Sequence, residues 1–146
     1  MSVFDLKTNA VITQIPTGAN PDAIMYEPFT KKIITNNGQG KNLSIIDPGT
    51  NTLVDSVALD GKPEESVSDR KEKLFVNLED KSEIAVVDLK IFKVIARWPL
   101  APGEGPSGLA IDTKTNRLFS TCSDSKILIV IDATKLLQIH FEKLSL

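Results

Sequence analysis

The sequence predicts an all-β fold, a partial β-propeller of about three and a half four-stranded antiparallel blades. Two markers recur with one period. An aspartate closing a β-branched run stands at Asp5, Asp47, Asp88 and Asp132, at intervals of 42, 41 and 44 residues. A proline opening the cycle stands at Pro21, Pro63 and Pro106, at intervals of 42 and 43. The strand text repeats with them, as Ser44-Ile45-Ile46-Asp47, Ala85-Val86-Val87-Asp88 and Ile129-Val130-Ile131-Asp132. One propeller blade takes ~40–45 residues and holds four short strands, which is the period seen here.

Taken in order, the chain enters the cycle at a third strand. Val3 to Asn9 and Ala10 to Ile15 read as the last two strands of a half blade over 3–15. Three full blades follow at about 21–59, 63–100 and 106–141, in a single domain over 1–146. Strand a follows each proline, as Asp22–Tyr26, Glu64–Ser68 and Gly108–Asp112. Strand b is Lys32–Asn36, Lys73–Asn77 and Arg117–Thr121. Strand c is Leu43–Asp47, Glu83–Asp88 and Ile127–Asp132. Strand d is Leu53–Leu59 and Val94–Leu100, with a weaker candidate at Leu136–Phe141. Alternating apolar side chains bounded by turn residues support each assignment.

The marker aspartates are expected to form turns. In Asp5…Asn9 and Asp47…Asn51 the carboxylate accepts backbone N–H groups, and the asparagine takes the left-handed conformation. Asp112…Asn116 repeats the pattern between strands a and b.

Composition bounds the function. The chain has 17 Lys+Arg against 19 Asp+Glu, a net charge of −2, with the signs interleaved. A nucleic-acid binder shows a basic stripe. The strongest cluster here, Asp69-Arg70-Lys71-Glu72-Lys73, carries its own acids, so no nucleic-acid partner is expected. No apolar run is long enough for a membrane span, so no membrane partner is expected either. The N-terminus lacks the pattern of a signal peptide, and the chain as written is expected in the cytoplasm. The lone Cys122 forms no disulfide framework within the chain.

No catalytic, cofactor-binding or metal-binding residue is assigned. The only histidine, His140, lies in the weak last strand and is read as a surface or strand residue. Asp22, Glu64 and Glu65 enter successive inner strands but offer too few oxygens for calcium. Asn37-Gly38-Gln39-Gly40-Lys41 reads as a hairpin turn, because no helix follows to hold a phosphate. Pro102 to Pro106 reads as a blade-to-blade connection, and Trp98 as packed between blades. What remains is the loop face shared by the d–a and b–c connections. Its candidate binding residues are Asn20, Asp22, Asn36, Lys62, Glu64, Asn77, Glu79 and Ser107, with Asn37, Asp80, Glu104, Ser123 and Asp124 beside them. Loops on a rigid scaffold are where binding concentrates.

The runs Ile33-Ile34-Thr35-Asn36, Leu74-Phe75-Val76-Asn77 and Leu118-Phe119-Ser120-Thr121, each followed by an Asp-ended strand, resemble the YVTN-repeat β-propellers, the YncE-like group. The resemblance covers Val3 to about Thr134. It implies a seven-bladed parent, secreted or periplasmic, in a group mostly without an assigned reaction. The sequence differs from the group by starting inside a blade and by ending at Leu136 to Leu146 without a glycine-closed strand. It is therefore expected to be a truncated frame, able to self-associate through exposed terminal blades. The expected role is a non-enzymatic scaffold for a protein or a small polar ligand. The alternative is a fragment of a propeller enzyme, of lactonase or redox-cofactor type, whose catalytic residues lie in other blades.

Overall fold

Each β-branched or aromatic run becomes a strand, because its alternating side chains can be buried on a pleated surface. The structure, a computed structural model, describes residues 1–135 and the backbone of 137–143. Leu136, the start of the weak strand-d candidate, and the side chain of His140 lie outside the described residues. Fourteen strands are described: β1 (Ser2–Phe4), β2 (Val11–Gln14), β3 (Pro21–Glu27), β4 (Lys32–Asn37), β5 (Asn42–Asp47), β6 (Thr52–Ala58), β7 (Pro63–Ser68), β8 (Lys73–Leu78), β9 (Glu83–Asp88), β10 (Lys93–Pro99), β11 (Pro106–Asp112), β12 (Arg117–Cys122), β13 (Ile127–Asp132) and β14 (Leu137–Lys143). The b–c turn of the third sheet tightens into a single 3-10 turn at Glu79–Lys81, which the sequence did not distinguish from the other hairpins.

Every pairing is between sequence neighbours and antiparallel. β1–β2 form a two-stranded sheet, and β3–β6, β7–β10 and β11–β14 form three four-stranded meanders. β7 touches both β3 and β11, so the first strands of successive sheets line a common inner side. The sheets thus stack as blades of a partial propeller.

Alternation sends each blade's side chains into two seams. From the central blade, Leu74, Val76, Leu78, Ala85 and Val87 join Ile34, Leu43, Ile45, Val57 and Leu59 of the preceding blade in one buried cluster. Phe75, Ile84, Val86 and Trp98 point the other way, into a second cluster with Leu109, Leu118, Ile129 and Ile131. Trp98 lies between blades as expected, its ring centroid 5.4 Å from that of Phe75. Against β1–β2 the packing is looser. A cleft of about 340 Å³ opens there, lined by Val3, Phe4, Ile15, Ile33 and Ile46, with Ile24 61% exposed beside it.

The turns have the predicted chemistry. Asp5 accepts the N–H groups of Lys7 and Thr8, Asp47 those of Gly49 and Thr50, and Asp88 those of Lys90 and Ile91. Asp132 does the same for Thr134 and Lys135. Asn9, Asn51 and Asn116 take φ values of 56°, 56° and 54°. Asparagine tolerates that region and a β-branched residue does not. Asn51→Val is therefore expected to cost about 1–2 kcal/mol, read as a lowered urea midpoint with an unchanged slope.

Candidate functional site

The loop face is shaped by one irregularity repeated in each blade. Proline at the head of the inner strand has no N–H to give to the ladder. The pairing slips by one residue just after it: between Pro21 and Ala23, between Pro63 and Ser66, and between Pro106 and Leu109. A bulge of this kind re-aims side chains. The displaced residues are Asp22, Glu64 with Glu65, and Ser107 with Gly108, at the mouth of the inner side.

Around them the polar groups hold one another. The Asn20 amide donates to Asp22 Oδ2 at 2.6 Å, and the Gly38 N–H donates to the Asn20 carbonyl at 2.8 Å. Gly38 has to be small here, since a Cβ would lie 2.6 Å from Asp22 Oδ2. Lys62 Nζ pairs with Glu79 and, at 2.9 Å, with Glu64. The hydrogen bond that Lys62 donates to Glu79, then that to Glu64, pushes its ammonium well above its ordinary pKa. The Lys62 N–H donates to Asp80 Oδ1 at 2.6 Å, and Lys41 from the preceding blade reaches Asp80 Oδ2 at 2.8 Å. Burial pushes the Asp80 carboxyl up, but Lys41 and the Lys62 N–H outweigh it and hold the group below the usual range. This chain of charges links two blades.

Asn36 and Asn77 do not open onto the loop face. They are 1% and 0% exposed and stitch the seams. Asn36 donates to the Glu64 carbonyl and accepts from Ser66 Oγ at 3.1 Å. Asn77 donates to the Gly108 carbonyl and accepts from Ser120 Oγ, both at 3.1 Å. A buried amide left without such partners costs heavily, which is why these two turn into the seam. Asn37 is buried as well, donating to Asn42 and Ser44. Of the other candidates, Glu104, Ser123 and Asp124 are exposed, and Ser107 is half-buried. The face therefore brings together Asn20, Asp22, Lys62, Glu64, Glu79 and Asp80, and withholds Asn36, Asn37 and Asn77.

The YncE-like β-propeller family model matches residues 1–142. The chain belongs to that family. No curated protein matches the sequence. Among solved structures, this YncE-like chain resembles Kuenenia stuttgartiensis hydrazine synthase, at 23% identity and a TM-score of 0.79, over 88% of this chain and 37% of the other. It also resembles the dihydro-heme d1 dehydrogenase NirN in complex with DHE, at 17% identity and a TM-score of 0.80, over 96% and 32%. Apo AztD from Citrobacter koseri matches at 16% identity and a TM-score of 0.69, over 92% and 39%. The YncE-like chain thus spans 32–39% of the length of these structures, and at such identities the likeness speaks for the fold alone.

Among the described residues of this YncE-like chain, the lone thiol sits in a packed seam. Cys122 is buried, and burial pushes its thiol pKa up, away from the reactive thiolate. The network joining Lys41, Lys62, Glu79 and Asp80 was the feature sequence reasoning missed as a unit. Its members were visible as loop charges, but Lys62 meets Glu79 and Asp80, 17 and 18 residues on, only when its blade folds, and Lys41 meets Asp80, 39 residues on, only when two blades stack.

Proposed function

We propose that this YncE-like segment acts as a non-enzymatic scaffold that binds a protein or a small polar ligand through the bulged rim of its inner strands. The observation that carries this reading is the repeated one-residue slip after each opening proline, which displaces Asp22, Glu64 and Glu65 at the head of neighbouring inner strands. Rigid sheets hold these acceptors, so little ordering entropy opposes binding. Lys62 is already neutralised by Glu64 and Glu79, which leaves the rim acidic and suits a partner that is cationic or rich in hydrogen-bond donors. A thermal-shift screen of amines, sugars and amino acids, with pull-down from extract, tests it. A true ligand raises the melting temperature in proportion to its occupancy, and Asp22→Asn with Glu65→Gln removes the shift. Hydrolysis of a lactone by the purified chain, lost in the same double variant, would overturn the non-enzymatic reading.

A second reading is favoured by the likeness to two structures named as enzymes. Here the whole protein is a propeller enzyme of lactonase or redox-cofactor type, and other blades carry its catalytic groups. Activity in an intact ring, abolished by substitutions on the axis outside this segment, distinguishes it from the first.

A further inference from the structure

The face opposite the acidic rim has a different character. It is built from the a–b turns at 28–31, 69–72 and 113–116 and the c–d turns at 5–10, 48–51, 89–92 and 133–135. The two turns of one blade interlock: the Leu89 N–H donates to the Glu72 carbonyl and the Ala133 N–H to the Asn116 carbonyl, both at 2.8 Å. Ser68 Oγ bonds Glu27 across a seam at 2.9 Å. These bonds tie the turns within a blade and across one seam, and the meander order puts all of the turns at the same end of the stacked sheets.

Its acids are drawn inward. Asp5, Asp47, Asp88 and Asp132 are half-buried and occupied by the N–H groups of their own turns. Asp69 and Asp112 are held likewise in the a–b turns, and Glu27 is fully buried. Glu72, paired with Lys90, is the one exposed acid there among the described residues. The cations point outward. Lys7, Lys31, Lys71, Lys90, Lys114 and Lys135 are all exposed, one on each turn except that at 48–51. Between them stand apolar tips with nothing to cover them: Leu6 at 93% exposure, Ile91 at 57% and Phe29 at 43%.

We propose that this turn face docks on the surface of an anionic lipid bilayer. The lysines supply attraction to acidic headgroups, and the three apolar tips enter the boundary between headgroup and acyl chain. A nucleic acid accounts for the charge but not for the tips, since a phosphate backbone leaves Leu6 and Ile91 in water. The docking proposed is peripheral, made by the turns alone; no helix among the described residues is long and apolar enough to cross a membrane. This surface is separate from the acidic rim, so either proposal stands without the other. It also goes beyond the expectation of no membrane partner, which rested on the lack of an apolar run long enough to span a bilayer.

Co-sedimentation of the full chain with vesicles tests the proposal. Vesicles of phosphatidylcholine carrying about a third phosphatidylglycerol are expected to bind the chain, and phosphatidylcholine alone is not. Raising salt from about 0.05 M to about 0.5 M weakens binding at least ~tenfold. Two double variants, Lys7→Glu with Lys114→Glu and Leu6→Ser with Ile91→Ser, each weaken it by about tenfold, with circular dichroism reporting an intact fold. Lys126→Glu, on the opposite face, leaves binding unchanged. Equal binding to neutral vesicles, no binding to anionic ones, or indifference to the Leu6/Ile91 pair overturns the proposal. So does tighter binding to duplex DNA than to anionic vesicles.

Discussion

Replacing Phe75 with alanine is expected to lower the unfolding free energy by about 3–5 kcal/mol, the largest effect of any single substitution in this chain. Phe75 is 1% exposed on β8, an interior strand of the central blade. Its ring lies at 44° to that of Trp98 and fills the seam with Ile84, Val86, Leu109 and Leu118. Truncation removes a large buried surface and leaves a cavity whose walls belong to two sheets already tied by backbone ladders. Such walls collapse poorly, so the cavity cost adds to the lost transfer energy. In a stack of repeats the seam is also the coupling between units, so the loss falls on cooperativity as well as on stability. Urea unfolding followed by Trp98 fluorescence and by far-ultraviolet circular dichroism reads both. Phe75→Leu, which keeps most of the volume, is expected to recover more than half of the loss. A cost below about 1 kcal/mol for the alanine variant would show that the seam does not bind the blades together.

Glu27→Ala is expected to cost about 2–4 kcal/mol. Glu27 has no exposed surface, yet its carboxylate is fully engaged. Oε2 accepts the Thr30 N–H and hydroxyl at 2.6 Å each, and Oε1 accepts the Phe29 N–H at 3.0 Å and Ser68 Oγ of the next blade at 2.9 Å. Alanine leaves those donors facing a void. Burial pushes the Glu27 carboxyl up, but the bonds from Thr30, Phe29 and Ser68 together outweigh burial and hold its pKa below the ordinary value. A depressed pKa in the folded state gives stability that is present above the unfolded pKa and lost as pH falls through the folded one. The wild-type chain is therefore expected to lose stability below about pH 4, and Glu27→Gln to flatten that part of the curve while lowering stability at neutral pH. Melting temperatures of both proteins between about pH 3 and pH 7 decide it, and parallel curves would refute this role for Glu27.

Glu27 also shows where the sequence stops being legible. It stands where Asp69 and Asp112 stand in the next two blades, and all three accept N–H groups of the a–b turn. From the sequence only Asp112 was read this way, through its partner Asn116, because Asp69 and Glu27 lack a matching asparagine. The extra methylene of Glu27 lets it bond Ser68 in the adjoining blade, and nothing local announces that contact. Asn36 and Asn77 failed in the opposite sense. Polar residues at the end of a strand read as loop-facing, and only the neighbouring blade reveals the carbonyl that draws each one inside.

By itself the sequence determined the blade. Period, alternation, opening proline and Asp…Asn turn are local properties, set by sterics and hydrogen bonding within a few residues, and they placed most strand ends to within one or two positions. Only the tertiary structure decided which polar groups meet and which way each charge faces. Seam partners come from chain segments some 30 to 43 residues apart. The two ends of every strand alternate between opposite faces, so a charge pattern that looks evenly mixed along the chain becomes an acidic rim and a lysine-studded turn face once the blades stand side by side.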